Sequence, residues 1–203
     1  MTSMSQTFGE FVDELPASQE YLAISFSPSS IPLQKRWRNS ELSADFIAEY
    51  LITFFPRSEN DVIKSHDQQF EMKSAVSYIA NELLENAMKF NDENSPFPIS
   101  IQLQLHNERL IFLLRNSVKS EAIVPFKAHI QEMLSGDPGE MYVAQLERNA
   151  ADESQTGSGL GLLIMMIDYL AKVGWKFETV STDPEVVTVT TMVQLPLSPT
   201  EMA

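Results

Sequence analysis

The chain predicts an α/β two-layer sandwich: a mixed, largely antiparallel sheet with its helices on one face. Three observations lead there. Two long stretches repeat apolar residues at threes and fours, and short alternating runs come in pairs joined by turn residues. These segments also follow in the order strand, helix, helix, strand, strand, helical insert, helix, strand, strand. Alternating runs joined by tight turns pair as hairpins, and helices with one apolar face must bury it against the sheet.

The elements follow in order. The first 20 residues have no clear period and read as an arm or a short helix. "EYLAISFSPSS", Glu20 to Ser30, alternates as a strand and ends at Pro28. From Leu33 to Phe55 the apolar positions Leu33, Trp37, Leu42, Phe46, Ile47, Tyr50, Leu51 and Phe54 give one helical face, which Pro56 ends. After the polar connection "RSENDVIKSH", a second helix is expected from about Asp67 to Phe90, with Phe70, Val76, Ile79, Leu83, Leu84, Ala87 and Met88 inward. "NDENSPFP" closes it with turn chemistry, and "ISIQLQLHN" and "ERLIFLLRN" form a hairpin around Asn107-Glu108.

Residues 117–156 are irregular, with a helix expected from Pro125 to Leu134, a turn at "SGDPGE" and a helix from Glu140 to Asn149. "TGSGLGLLIMM" then opens a helix from roughly Gly159 to Lys172, which Gly174 terminates. Two alternating strands around Asp183-Pro184 finish the fold. The organisation is an arm (1–20), one domain (21–197) and a short tail (198–203).

Composition narrows the function. At 203 residues the chain suits one well-buried core. It carries 28 acidic and 14 basic residues, a net charge of −14, which argues against a nucleic-acid partner held by a basic surface. No apolar run approaches the roughly 18 residues of a membrane span. The N-terminus has no basic region followed by an apolar stretch, and cysteine is absent, so a cytoplasmic protein with neither disulfides nor thiolate chemistry is expected. An acidic chain that binds a nucleotide must neutralise its phosphates locally, with a divalent cation, helix N-termini or a few placed lysines.

Two segments offer such groups. In "IANELLENAMKF", Glu82, Asn86 and Lys89 stand four and three residues apart, so a carboxylate, an amide and an ammonium share one helical stripe. An amide oxygen can ligate Mg²⁺, a carboxylate can take a proton from an attacking hydroxyl, and an ammonium can meet a phosphate. The plainer reading is an amphipathic helix with a polar outer face. In "TGSGLGLLI", Gly157, Gly159 and Gly161 let the backbone approach a ligand where the N–H groups of a helix start are free; the plainer reading there is a hinge. No strand precedes these glycines, as a dinucleotide fold needs, and no GxxxxGK[ST] loop is present. The three histidines, His66, His106 and His129, have no metal spacing and read as surface or hairpin residues.

The two segments, in this order and with a hairpin and an insert between them, resemble the GHKL superfamily of ATP-binding domains. "NELLENAMKF" is similar to its N-box, "TGSGLGLLI" to its second glycine box, and "VGWKFETVST…VTVTTMVQLPL" to the closing strands of histidine-kinase domains. The resemblance implies that Asn86 ligates Mg²⁺, Glu82 activates a water or hydroxyl and Lys89 meets phosphate. It implies that Gly157, Ser158, Gly159, Leu160 and Gly161 wrap the triphosphate of ATP, and that residues 117–156 form a lid.

One departure stands out. Where the family has DxGxG, its Asp reading adenine, this chain has Asn116-Ser117-Val118, and Asn116 is left as the acceptor. A bare domain without sensor or phosphoacceptor hairpin resembles the bacterial anti-sigma-factor and partner-switching serine kinases. That likeness implies a regulatory serine/threonine kinase using Mg-ATP on a small antagonist protein of the anti-anti-sigma type. A sigma factor or phosphatase would be an alternative partner, and a homodimer is a further expectation. The other reading is a catalytically degenerate GHKL-fold interaction regulator with weak or no nucleotide turnover.

Overall fold

The computed structural model describes residues 5–18, 20–27, 33–55, 62–151 and 159–197; the side chains of 33–40, 62–66 and 68 lie outside that description. The expectations at Pro28 and Pro56, for the side chains of Leu33, Trp37 and His66, for 152–156 of the lid and for the tail therefore fall outside it. The described elements are β1 (Ser5–Gly9), β2 (Glu20–Phe26), α1 (Leu33–Ile52), α2 (Val62–Phe90), β3 (Ile99–Leu105), β4 (Arg109–Val118), α3 (Ser120–Ser135), α4 (Pro138–Ala151), α5 (Gly161–Asp168), β5 (Lys172–Thr182) and β6 (Glu185–Pro196).

The expected α/β class is observed. Six strands form one sheet in the order β1-β5-β6-β4-β3-β2. All five pairings are antiparallel, so the sheet is not mixed among the described strands. The helical crossover from β4 to β5 makes these two strands run the same way. The β5–β6 hairpin then inserts β6 between them, and no parallel neighbours form.

One sheet face carries the core. Phe112 and Leu114 of β4, Trp175 and Phe177 of β5 and Val189 and Val193 of β6 pack with Ile47 of α1, Ile79 and Leu83 of α2 and Met165 of α5. Each such side chain, fully buried, contributes roughly 1.5–3 kcal/mol. Met166 packs against the same cluster from its margin.

The opposite face is crossed by residues 10–18. Gly9 turns the chain at φ 64°. The Glu10 N–H donates to the Val173 carbonyl at 3.0 Å, Gln194 Nε2 donates to the Glu10 carbonyl at 2.5 Å, and Lys176 pairs with Asp13 at 2.8 Å. The N-terminal segment is thus an edge strand followed by a strap, not a short helix.

Several helix boundaries differ from expectation, three of them by four or five residues. Helix α2 begins at Val62, so part of "RSENDVIKSH" is helical. Helix α3 begins at Ser120 and contains Pro125, although a proline has no N–H for the carbonyl four residues back. Helix α5 stops at Asp168, because Leu170 takes a left-handed φ of 52° and the Ala171 N–H returns to the Met165 carbonyl at 3.0 Å. Gly174 does not end that helix. It lies in β5, where an added Cβ would stand 2.2 Å from the Phe11 nitrogen of the strap.

Among the described residues no helix is long and apolar enough to cross a membrane.

Candidate nucleotide site

Helix α2 buries Ile79, Leu83, Leu84 and Ala87 toward the sheet. The 3.6-residue period then places Glu82 and Asn86 on its flank, both half-buried, and Lys89 exposed near its end. Lys89 Nζ lies 5.2 Å from the centre of the Phe90 ring. The Asn86 side chain is hydrogen-bonded to none of the described residues.

Helix α5 enters beside Glu82. Gly159 holds φ 65°, and Leu160 precedes the first turn without a side-chain cap, its carbonyl accepting the Ile164 N–H at 2.9 Å. A Cβ placed on Gly161 would lie 2.0 Å from Glu82 Oε2 and 2.8 Å from its Cδ. The carboxylate therefore occupies the space a side chain would need at the start of α5. The positive end of a helix dipole favours an anion there. Burial, and secondarily Glu85, nevertheless raise the Glu82 pKa above its ordinary value of 4.5.

The surroundings of Glu82 are acidic and aromatic. Burial, then the Glu82 charge, drives the Tyr78 phenol upward, and its ring stands 5.7 Å from that of Tyr169. Asn81 Nδ2 donates to Glu85 Oε1 at 2.9 Å, and Asn81 Oδ1 is buried without a partner among the described residues.

Asn116 belongs to a polar cluster near the C-terminal end of β4. It is 4% exposed, and its Nδ2 donates to the Ser117 carbonyl at 3.0 Å. The Ser117 N–H donates to Asn91 Oδ1 at 3.1 Å, and its hydroxyl meets that of Ser95 at 2.6 Å. The Asp92 N–H donates to the Ser117 carbonyl at 3.0 Å. The sequence marks Asn91 and Ser95 only as turn residues, because nothing in "NDENSPFP" announces a partner on β4. Asn116 Oδ1 is left to accept a further bond.

The expected lid is also reshaped. Ser117 and Val118 remain in β4, paired with Thr188 and Val187, and one residue, Lys119, leads into α3. Residues 117–156 are therefore not a wholly irregular insert. Helix α3 is anchored through buried Ile130 and Met133. Its Phe126 packs edge-on against Phe177 at 5.6 Å, and Lys127 bonds to Gln6 of β1 at 2.8 Å. Gly157 and Ser158 lie outside the described residues. His106 is buried in its hairpin, Nε2 bonded to Gln104 at 3.1 Å.

The residues fit the two halves of a nucleotide unequally. Among the described residues no group of three or more His, Asp or Glu can hold a metal. Mg²⁺ nevertheless asks for few protein ligands when water and phosphate supply the rest, and the unengaged Asn86 amide suits that role. For the adenine that the resemblance implies, Asn116 offers one neutral oxygen where the resembled family has a carboxylate. No known protein-family model and no curated protein matches the chain.

Proposed function

We propose that the chain is a cytoplasmic GHKL-type regulatory domain of the partner-switching class, a serine/threonine kinase that uses Mg-ATP on a small antagonist protein. The observation that carries this reading is the contact of Glu82 with Gly161, which joins the N-box-like helix to the start of the glycine-box helix. In this reading Glu82 takes the proton of the partner's hydroxyl as that oxygen bonds to the γ-phosphorus of ATP, and ADP leaves with the electron pair of the broken bond. Burial that lifts its pKa makes Glu82 a stronger base toward that hydroxyl. Asn86 holds Mg²⁺, which offsets charge on the phosphates when bound. Gly159, Leu160 and Gly161 present backbone N–H groups to phosphate, Lys89 adds a cation, and Asn116 Oδ1 accepts from adenine.

A second reading, an interaction regulator with weak or no turnover, is favoured by one observation. Helix α3 springs from β4 after a single residue and is packed on β1 and β5, so the lid lacks the glycine hinge of its resembled family. Radiolabelled ATP distinguishes the two. With an anti-anti-sigma-type domain as acceptor, the kinase reading expects acid-stable label on Ser or Thr with wild type and none with Glu82→Gln. Equal labelling by both proteins, or acid-labile label, overturns it.

A further inference from the structure

We propose that the C-terminal end of α5, together with Tyr78 of α2, is a docking surface for an arginine-bearing segment of a partner protein. This does not rest on the nucleotide reading.

The surface is built where α5 stops. The Ala171 N–H turns back to the Met165 carbonyl at 3.0 Å, and Leu170 sits at φ 52°, a conformation that a side chain disfavours. The turn leaves Leu170 72% and Ile167 37% exposed, and it sets Tyr169 against α2. The Tyr78 and Tyr169 rings stand 5.7 Å apart, tilted by 39°. Both are half-buried, so part of the pair meets solvent.

The charge here is one-sided. The carbonyl end of a helix is negative and favours a cation. Helix α5 instead has Asp168 in its last turn and no basic residue there. Asp168 is exposed and pairs with no cation among the described residues. The described bases of neighbouring elements are turned elsewhere. Lys73 pairs with Glu49 of α1, and Arg148 lines the cavity between α3 and α4 with His129. Lys172 is on the strap side of β5, since Val173 and Trp175 face the helices. Lys89 lies over the Phe90 ring at the other end of α2. Both phenols are raised accordingly, first by burial and then by acidic neighbours, Glu82 and Asp168 for Tyr78 and Asp168 for Tyr169.

A hydrogen-bond acceptor is also left over. Asn81 lines one depression with Tyr78, and its Oδ1 is buried without a partner among the described residues.

These features select the occupant. An unpaired carboxylate, the negative end of a helix, an unmet amide oxygen and two partly exposed rings together ask for a cation rich in donors. Guanidinium is planar, stacks on aromatic rings and carries five N–H donors, whereas an ammonium is a compact, strongly hydrated charge. Exposed Ile167 and Leu170 suit an apolar residue beside the arginine, and the net charge of −14 draws a basic segment in. The patch is small, so a weak, readily reversed contact is expected.

Fluorescence anisotropy of the full chain without nucleotide tests this, the probe being a labelled peptide with two arginines among leucines and serines. Saturable binding is expected with wild type, weaker when lysine replaces both arginines and absent when glutamate does. Asp168→Asn and Tyr169→Ala are expected to weaken it about tenfold or more, with unchanged circular dichroism. Glu185→Gln, at the exposed start of β6, removes the same charge and should bind as wild type does. No binding by wild type overturns the proposal. So does full binding by Asp168→Asn or Tyr169→Ala, an equal loss in Glu185→Gln, or lysine and arginine peptides that bind alike.

Discussion

Glu82 Oε2 stands 2.0 Å from where a Cβ on Gly161 would be. A carboxylate on one long helix thus fixes which residue can open another, and the pair joins two segments far apart in the chain. Gly161 is needed here for space, whereas Gly159 is needed for its positive φ.

Gly161→Ala is therefore expected to destabilise the fold by about 1–3 kcal/mol through overpacking. Glu82→Ala in the same chain should recover most of that loss, because it empties the contested space. Chemical denaturation of the two single variants and the double variant measures the coupling; simple additivity would mean that the contact does not exist in solution.

The raised pKa of Glu82 gives a signed pH dependence. The folded state holds its proton to higher pH than the unfolded chain, so the cost of ionising it grows as pH climbs from about 4.5 through the folded value, and it vanishes below. Glu82→Gln should then melt above wild type at neutral pH, with the gap closing as pH falls below 4.5. A thermal-melt series across that range checks it, and a gap that widens toward acid would contradict it.

Val118 is 4% exposed and lies across from Val187, at a position where the resembled family has glycine. Val118→Gly should cost about 2–4 kcal/mol, from lost burial and a freer backbone. Denaturant midpoints measure it. A neutral result would mean that the end of β4 is already frayed in solution.

Gly174 tests the strap. A Cβ there would meet backbone on the Phe11 side, which no rotamer change relieves. Gly174→Ala should free residues 10–18 while the helical face stays folded. Limited proteolysis should then cut within that segment faster than in wild type, and equal rates would contradict the close approach.

The sequence carried the long helices and hairpins because their periods are strong, and it carried Glu82 and Asn86 because helical spacing alone puts them on one flank. The rest depended on partners that spacing does not reveal. β1 is five mostly polar residues whose pairing is supplied by β5. Leu170 ends α5 in a left-handed conformation for which leucine gives no signal. The Asn91–Ser117 and Ser95–Ser117 bonds form only when the turn after α2 meets the end of β4. The meeting of Glu82 with Gly161 likewise exists only in the assembled fold.

Mg-ATP is expected to bind at the α2–α5 junction, and calorimetry of the full chain with ATP tests this most directly. Saturable heat that requires Mg²⁺ is expected, with affinity reduced at least tenfold by Asn86→Ala, a loss of about 1.4 kcal/mol or more. No heat with wild type, or the same affinity in Asn86→Ala, would contradict it.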